Sequence, residues 1–154
     1  MDAPITPDTT PFSLSLFARW PDMDFNQHMR NAAYLGASED CRMRFLAERG
    51  FPMREFQKRG IGPVILEDKL TYKKEIKLLE GFRVELALAG STRDVRRLIV
   101  RNTILRDADD AVAAVVQSVV LWLDLAARKP VAPPDALRDV WLGLARTSDF
   151  EWLD

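Results

Sequence analysis

Residues 19–34, RWPDMDFNQHMRNAAY, bring two aspartates, the only histidine of the chain and two asparagines into one short stretch. These side chains take, give or orient protons. Asn31 stands where a helical pattern begins. The first amides of a helix have no intrahelical acceptor and sit at the positive end of its dipole. Carboxylates beside such amides suit attack on a carbonyl better than they suit a core.

Taken one at a time, the same residues have ordinary roles. Asp22 follows a proline and reads as a turn residue. Asn31 reads as a helix cap. Tyr34 falls on the apolar side of the helix and reads as packing, and Cys41 on the same stripe reads as an inert core thiol. The combination carries the functional reading; no single member does.

The elements around this loop follow from periodicity. Phe12, Leu14 and Leu16 alternate, giving a first strand over 12–20 that stops at Pro21. After the polar loop 21–30, a helix is expected from about 31 to 49, with Asn31 as N-cap and Gly50 as its stop. Tyr34, Leu35, Ser38, Cys41, Phe45 and Leu46 form its buried face. The small residues Ala32, Ala33, Gly36 and Ala37 let a sheet approach closely. A short helix over 52–60 precedes a strand-like region. In 66–76, Leu66, Leu70, Tyr72 and Ile76 share one face, while Glu67, Lys69, Thr71, Lys73 and Glu75 share the other. Segments 83–91 and 96–106 flank a polar turn and read as a hairpin. Segment 112–123 is apolar on both faces, so it should be covered on both. One helix covers one face; the other needs a second layer, such as a partner subunit. A short amphipathic helix is expected over 135–144.

Composition narrows the function classes. The chain of 154 residues reads as one domain over 12–154, preceded by a loose arm over 1–11. Its 22 basic and 23 acidic residues leave no electrostatic footprint for nucleic acid or an anionic membrane. One cysteine allows no internal disulfide and fits a reducing cytoplasm. The N-terminal MDAPITPDTTP lacks the basic and apolar regions of a signal peptide. The apolar stretch 111–123 is shorter than the roughly 20 residues of a spanning helix. A single histidine and a single cysteine speak against a metal site.

The loop resembles the signature D-x-D-x-x-x-H-x-N-N-x-x-Y of hotdog-fold acyl-CoA thioesterases of the 4-hydroxybenzoyl-CoA thioesterase type. Asp22, Asp24, His28, Asn31 and Tyr34 occupy matching positions, and Arg30 replaces the first asparagine of the pair. The segment WLDLAARKPVAPP at 122–134 resembles the last strand and exit of these proteins. The resemblance implies an α+β hotdog fold: a five-stranded antiparallel sheet wrapped around a long central helix, with short extra helices. It implies hydrolysis of an acyl-CoA thioester, with Asp24 as base or nucleophile, amides near Asn31 as oxyanion hole and His28 orienting water or carbonyl. Asp22, Tyr34 and Glu39 are additional site candidates, Glu39 otherwise pairing with Arg42 at the surface. Arg30 would bring a cation toward a coenzyme A phosphate. Arg93, Arg96, Arg97 and Arg101 are a second such cluster, or else a solvated face. No cofactor is implied, coenzyme A being part of the substrate. The resemblance also implies a homodimer or homotetramer in which strand 66–76 pairs with its copy. Two alternatives stay open. One is a hotdog enoyl-CoA hydratase or dehydratase, although its D-x-N-P-x-H motif would need a proline that Asp24–His28 lacks and a histidine one residue later. The other is a non-catalytic acyl-CoA-binding protein.

Overall fold

The computed structural model describes residues 3–154; Met1 and Asp2 of the expected arm lie outside the described residues. Residues 3–10 form no helix or strand, and Asp8 N–H donates to Gly143 O at 2.9 Å. Strand β1 (Phe12–Phe17) is followed by a single 3-10 turn at Trp20–Asp22, then helices α1 (Asn31–Glu48) and α2 (Met53–Arg59). Four long strands come next: β2 (Ile61–Tyr72), β3 (Gly81–Ser91), β4 (Arg97–Arg106) and β5 (Val112–Asp124). The short β6 (Lys129–Pro130), α3 (Asp135–Leu142) and β7 (Arg146–Trp152) complete the chain.

The five expected strands form an antiparallel path, β1-β3-β4-β5-β2. This is the α+β hotdog arrangement: the sheet curls around α1. Two short strands extend it, β6 against β5 and β7 parallel to β3. The sheet face toward α1 is aliphatic, with Val84, Leu86, Leu88, Leu98, Val100, Ile104 and Val116 all fully buried. Alternation along β3, β4 and β5 produces this face directly. Tyr34, Ala37, Ser38, Cys41, Phe45 and Leu46 of α1 are buried against it. Phe45 meets Phe12 edge-on at 5.4 Å and Trp141 of α3 at 5.3 Å. Phe56 of α2 stacks on Trp122 of β5 at 5.6 Å. Each such buried aromatic stabilises by about 1.5–3 kcal/mol through area alone. On the outer face of β5, Val115, Gln117, Val119 and Leu121 are only half-buried.

Several boundaries differ from the sequence expectation, each for a physical reason. Strand 12–20 ends at Phe17, because Arg19–Asp22 closes a turn of its own. The strand expected at 66–76 runs from Ile61 to Tyr72. Gly60, at φ 67°, ends α2 and lets β2 start at once. A bulge between Ile65 and Glu67 then shifts the register, so Leu66 falls out of the alternation. Beyond Tyr72 the chain leaves the sheet and passes under the polar loop. There Met29 N–H donates to Ile76 O at 2.7 Å, and Ile76 is fully buried. Asn31 is the first helical residue rather than the cap. Arg30 takes the cap position in extended conformation, with its own N–H held by Asp22 O at 2.8 Å. Strand β7 had no sequence signal, since RTSDFEW is mostly polar; it is held by ladder bonds to β3.

Arg42 is the largest surprise in the core. It lies buried on α1 instead of pairing with Glu39 at the surface. Its Nε donates to Asn102 Oδ1 of β4 at 2.9 Å and its Nη2 to Ser118 Oγ of β5 at 2.7 Å. Ser118 Oγ donates in turn to Asp68 on β2. One guanidinium thus ties the helix to two strands and, through a hydroxyl, to a third. Burial pulls its pKa down, and the charges of Asp68 and Glu39 oppose that.

Candidate active site

The polar loop is built from its own hydrogen bonds. Asp22 accepts from Arg19 three times, from the backbone N–H, Nε and Nη2, each at 3.0 Å. Burial disfavours its charge, but the bonds and charge of Arg19, with Arg30 nearby, hold its carboxyl below the usual range. Both oxygens of Asp22 are therefore engaged in a turn.

Asp24 is held differently. Its Oδ1 accepts from Asn26 N–H at 2.8 Å and His28 N–H at 3.1 Å. Its own N–H donates to His28 O at 2.8 Å, closing a tight turn that places Gln27 at φ 66°. Oδ2 has no hydrogen-bond partner among the described residues and the side chain is exposed. One oxygen anchors the carboxylate; the other stays available.

At the helix start, Arg30 N–H and Ala33 N–H are satisfied by Asp22 O and Arg30 O. The amides of Asn31 and Ala32 have no acceptor among the described residues, and no side chain caps the helix. Asn31 O accepts from Tyr72 Oη at 3.3 Å, and Tyr72 meets Tyr34 edge-on at 5.4 Å. Tyr34 is buried, and burial pushes its phenol pKa up, so it is a hydrogen-bonding wall rather than a base.

A cleft of about 270 Å³ joins Asp24, His28, Asn31 and Tyr34 to Tyr72, Lys73, Lys74 and Glu75. The last four were not singled out from the sequence; they arrive from the end of β2 and the segment after it. His28 Nε2 lies 2.8 Å from Glu75 Oε2. A second, more apolar hollow of about 790 Å³ lies on the other side of Asp24, lined by Trp20, Pro21, Met23, Phe25 and Leu78. Asp24 stands between the two.

Asp22, Arg30 and Glu39 are not in either hollow. They line a separate groove of about 350 Å³ along Ala32, Ala33 and Gly36, on another face of α1. Cys41 is buried, its thiol pushed up to about 12 by desolvation, which makes it inert. Three of the four arginines around the β3–β4 turn have local side-chain partners among the described residues. Arg101 binds Asp149 and Gln117, Arg96 pairs with Asp94, and Arg93 lies over the Trp152 ring. Arg93, Arg96 and Arg97 sit at the far end of β3 from the loop, roughly 30 Å of strand away, and Arg101 stands opposite Ala87 in mid-strand. Among the described residues, no group of three or more histidines, cysteines or carboxylates is placed to hold a metal.

The loop motif and the curled sheet around α1 define the chain as a hotdog protein. The family model of the thioesterase-like superfamily matches residues 18–140, and the chain belongs to that superfamily, as a thioester hydrolase. Solved structures agree in fold. A Staphylococcus aureus protein solved in complex with CoA aligns at TM-score 0.82 with 21% identity, covering 98% of this chain and 94% of its own. A 1,4-dihydroxy-2-naphthoyl-CoA thioesterase from Synechocystis aligns at TM-score 0.77 and 12% identity, covering 84% and 93%. The probable thioesterase YbaW of Escherichia coli aligns at 0.74 and 20% identity, covering 88% and 99%. No curated protein matches the chain by sequence.

Proposed function

We propose that this protein hydrolyses a coenzyme A thioester to a free acid and coenzyme A, with chemistry centred on Asp24. The observation that carries this reading is the half-engaged Asp24 carboxylate, with Oδ1 fixed by two loop amides and Oδ2 free beside His28 and the helix start. As general base, Oδ2 takes a proton from water while the water oxygen bonds to the thioester carbon. The carbonyl oxygen becomes an oxyanion received by the amides of Asn31 and Ala32. Collapse breaks the carbon–sulfur bond, and the departing thiolate recovers the proton from Asp24. As nucleophile, Oδ2 would bond to that carbon and expel the coenzyme A thiolate, giving an anhydride that water then opens, its proton going to the thiolate. Thioesters are reactive enough for so sparse an apparatus.

Lys73 and Lys74 line the cleft with Asp24 and give it positive charge that draws in a polyanion such as coenzyme A. Arg30 offers a further cation at the other side of the helix start. The relative solved in complex with CoA supports a ligand of this class. A cleft of about 270 Å³ is smaller than a drug-sized ligand fills, so it holds the thioester end only.

A second copy of the chain supplies the missing wall in this reading. Strand β2 has one neighbour, β5, so its outer edge carries free ladder groups. Ile65, Leu66 and Tyr72 are exposed along it. Glu67 and Lys69, two apart on one face, are opposite charges that an antiparallel copy can set against each other. The half-buried outer face of β5 gives a second surface for a tetramer. The rest of the reading is one domain over 12–154 behind a short arm, no resident cofactor and a cytoplasmic location. No helix among the described residues is long and apolar enough to cross a membrane.

The test is a panel of acyl-CoA substrates assayed for free thiol. Thiol release from at least one acyl-CoA is the expected result. Hydration of an enoyl-CoA without thiol release would replace this reading with the lyase one, and binding without turnover would leave a carrier.

A further inference from the structure

Glu75 and His28 come from segments far apart in sequence, yet both are fixed by backbone bonds on either side of their contact. Glu75 O accepts from Arg106 Nη1 at 3.1 Å. The next residue, Ile76, is fully buried and its carbonyl accepts from Met29 N–H at 2.7 Å. Lys77 bridges to His28 in the same short ladder. On the other side, His28 N–H donates to Asp24 Oδ1, and His28 O accepts from Asp24 N–H. The side-chain contact at 2.8 Å therefore joins two anchored backbones. His28 is the only ion-pair partner of Glu75 among the described residues, although Lys73 and Lys74 line the same cleft.

We propose that Glu75 is a positioning residue for His28: it accepts the Nε2–H of the imidazole and leaves Nδ1 as the nitrogen that receives a hydrogen bond from water in the cleft. A carboxylate on one ring nitrogen fixes which nitrogen carries the proton and how the ring is turned. Nδ1 has no partner among the described residues, so it is the acceptor that remains. A water donating to Nδ1 is held beside Asp24 Oδ2. Both partners are close to half exposed, 40% for His28 and 47% for Glu75, so the contact adds little stability. Its consequence is orientation.

The role given to the water rests on the thioesterase reading; the pairing itself does not. The chain has one histidine, so ¹⁵N labelling reads its two ring nitrogens without ambiguity. The neutral ring of the unmodified protein should show a protonated Nε2 and a bare Nδ1. Glu75→Ala should give averaged shifts of mixed tautomers with an unchanged melting temperature. In the thiol-release assay, Glu75→Ala should lower kcat about tenfold, as loss of a histidine-orienting partner does, with KM little changed. In a His28→Ala background, the same change should cost less than about twofold. Ring shifts that Glu75→Ala leaves unaltered, or an equal loss of kcat with and without His28, would overturn the proposal. If no acyl-CoA releases thiol, the thioesterase reading fails, and the ring shifts still decide the pairing.

Discussion

Two aspartates two positions apart are treated in opposite ways by one loop. Asp22 gives both oxygens to Arg19, whereas Asp24 keeps one free. The depressed pKa of Asp22 sets a sign for its contribution to stability. A carboxyl whose folded pKa lies below its unfolded value of about 3.9 contributes stability fully above that value and loses it as pH falls toward the folded one. Thermal unfolding followed from about pH 5 downward should therefore show a shallower acid loss in Asp22→Asn than in the parent protein. An identical slope would mean that the Arg19 contact does not persist in solution. Arg42 makes a larger claim on stability. Arg42→Ala leaves the buried acceptors of Asn102 and Ser118 without donors, at ~1–3 kcal/mol each, for a loss of about 2–6 kcal/mol by urea denaturation. Arg42→Lys should recover little, because one ammonium cannot reproduce the fork that reaches two strands.

At the level of elements, local order was legible and long-range order was not. The motif Asp24–His28–Asn31 could be read because eight consecutive residues of one loop and one helix start hold it together. The strands β3, β4 and β5 could be read because each alternates cleanly under α1. Glu75 could not be read as a site residue. On the page of the sequence it is one more polar position in an alternating strand, and only the departure of the chain from the sheet after Tyr72 brings it to His28. The bulge at Leu66 hid the true span of β2 by shifting its phase. Arg42 was hidden because its burial depends on acceptors placed by β4 and β5. The proposed role of β2 has its own test. Ile65→Lys together with Leu66→Lys places like charges along the free edge, and light scattering should show the protein shifted toward monomer with reduced thiol release. A dimer of unchanged stability would remove β2 from the interface.

For the whole molecule, the proposed chemistry comes down to one carboxylate, Asp24, between two hollows at the start of one helix. Substrate discrimination follows from that sparseness. Coenzyme A thioesters should turn over while simple oxygen esters, whose leaving groups are poorer, should be slow; fast ester cleavage without thiol release would point to different machinery. The most direct measurement compares Asp24→Asn, Asp22→Asn and Glu39→Gln for kcat of thiol release on one acyl-CoA, with folding checked for each. Asp24→Asn should lower kcat by roughly 10²–10⁴. Asp22→Asn and Glu39→Gln, in the separate groove, should cost far less. A folded Asp24→Asn that retains turnover, with activity lost instead in Glu39→Gln or Asp22→Asn, would contradict the account and move the chemistry to the other face of the helix.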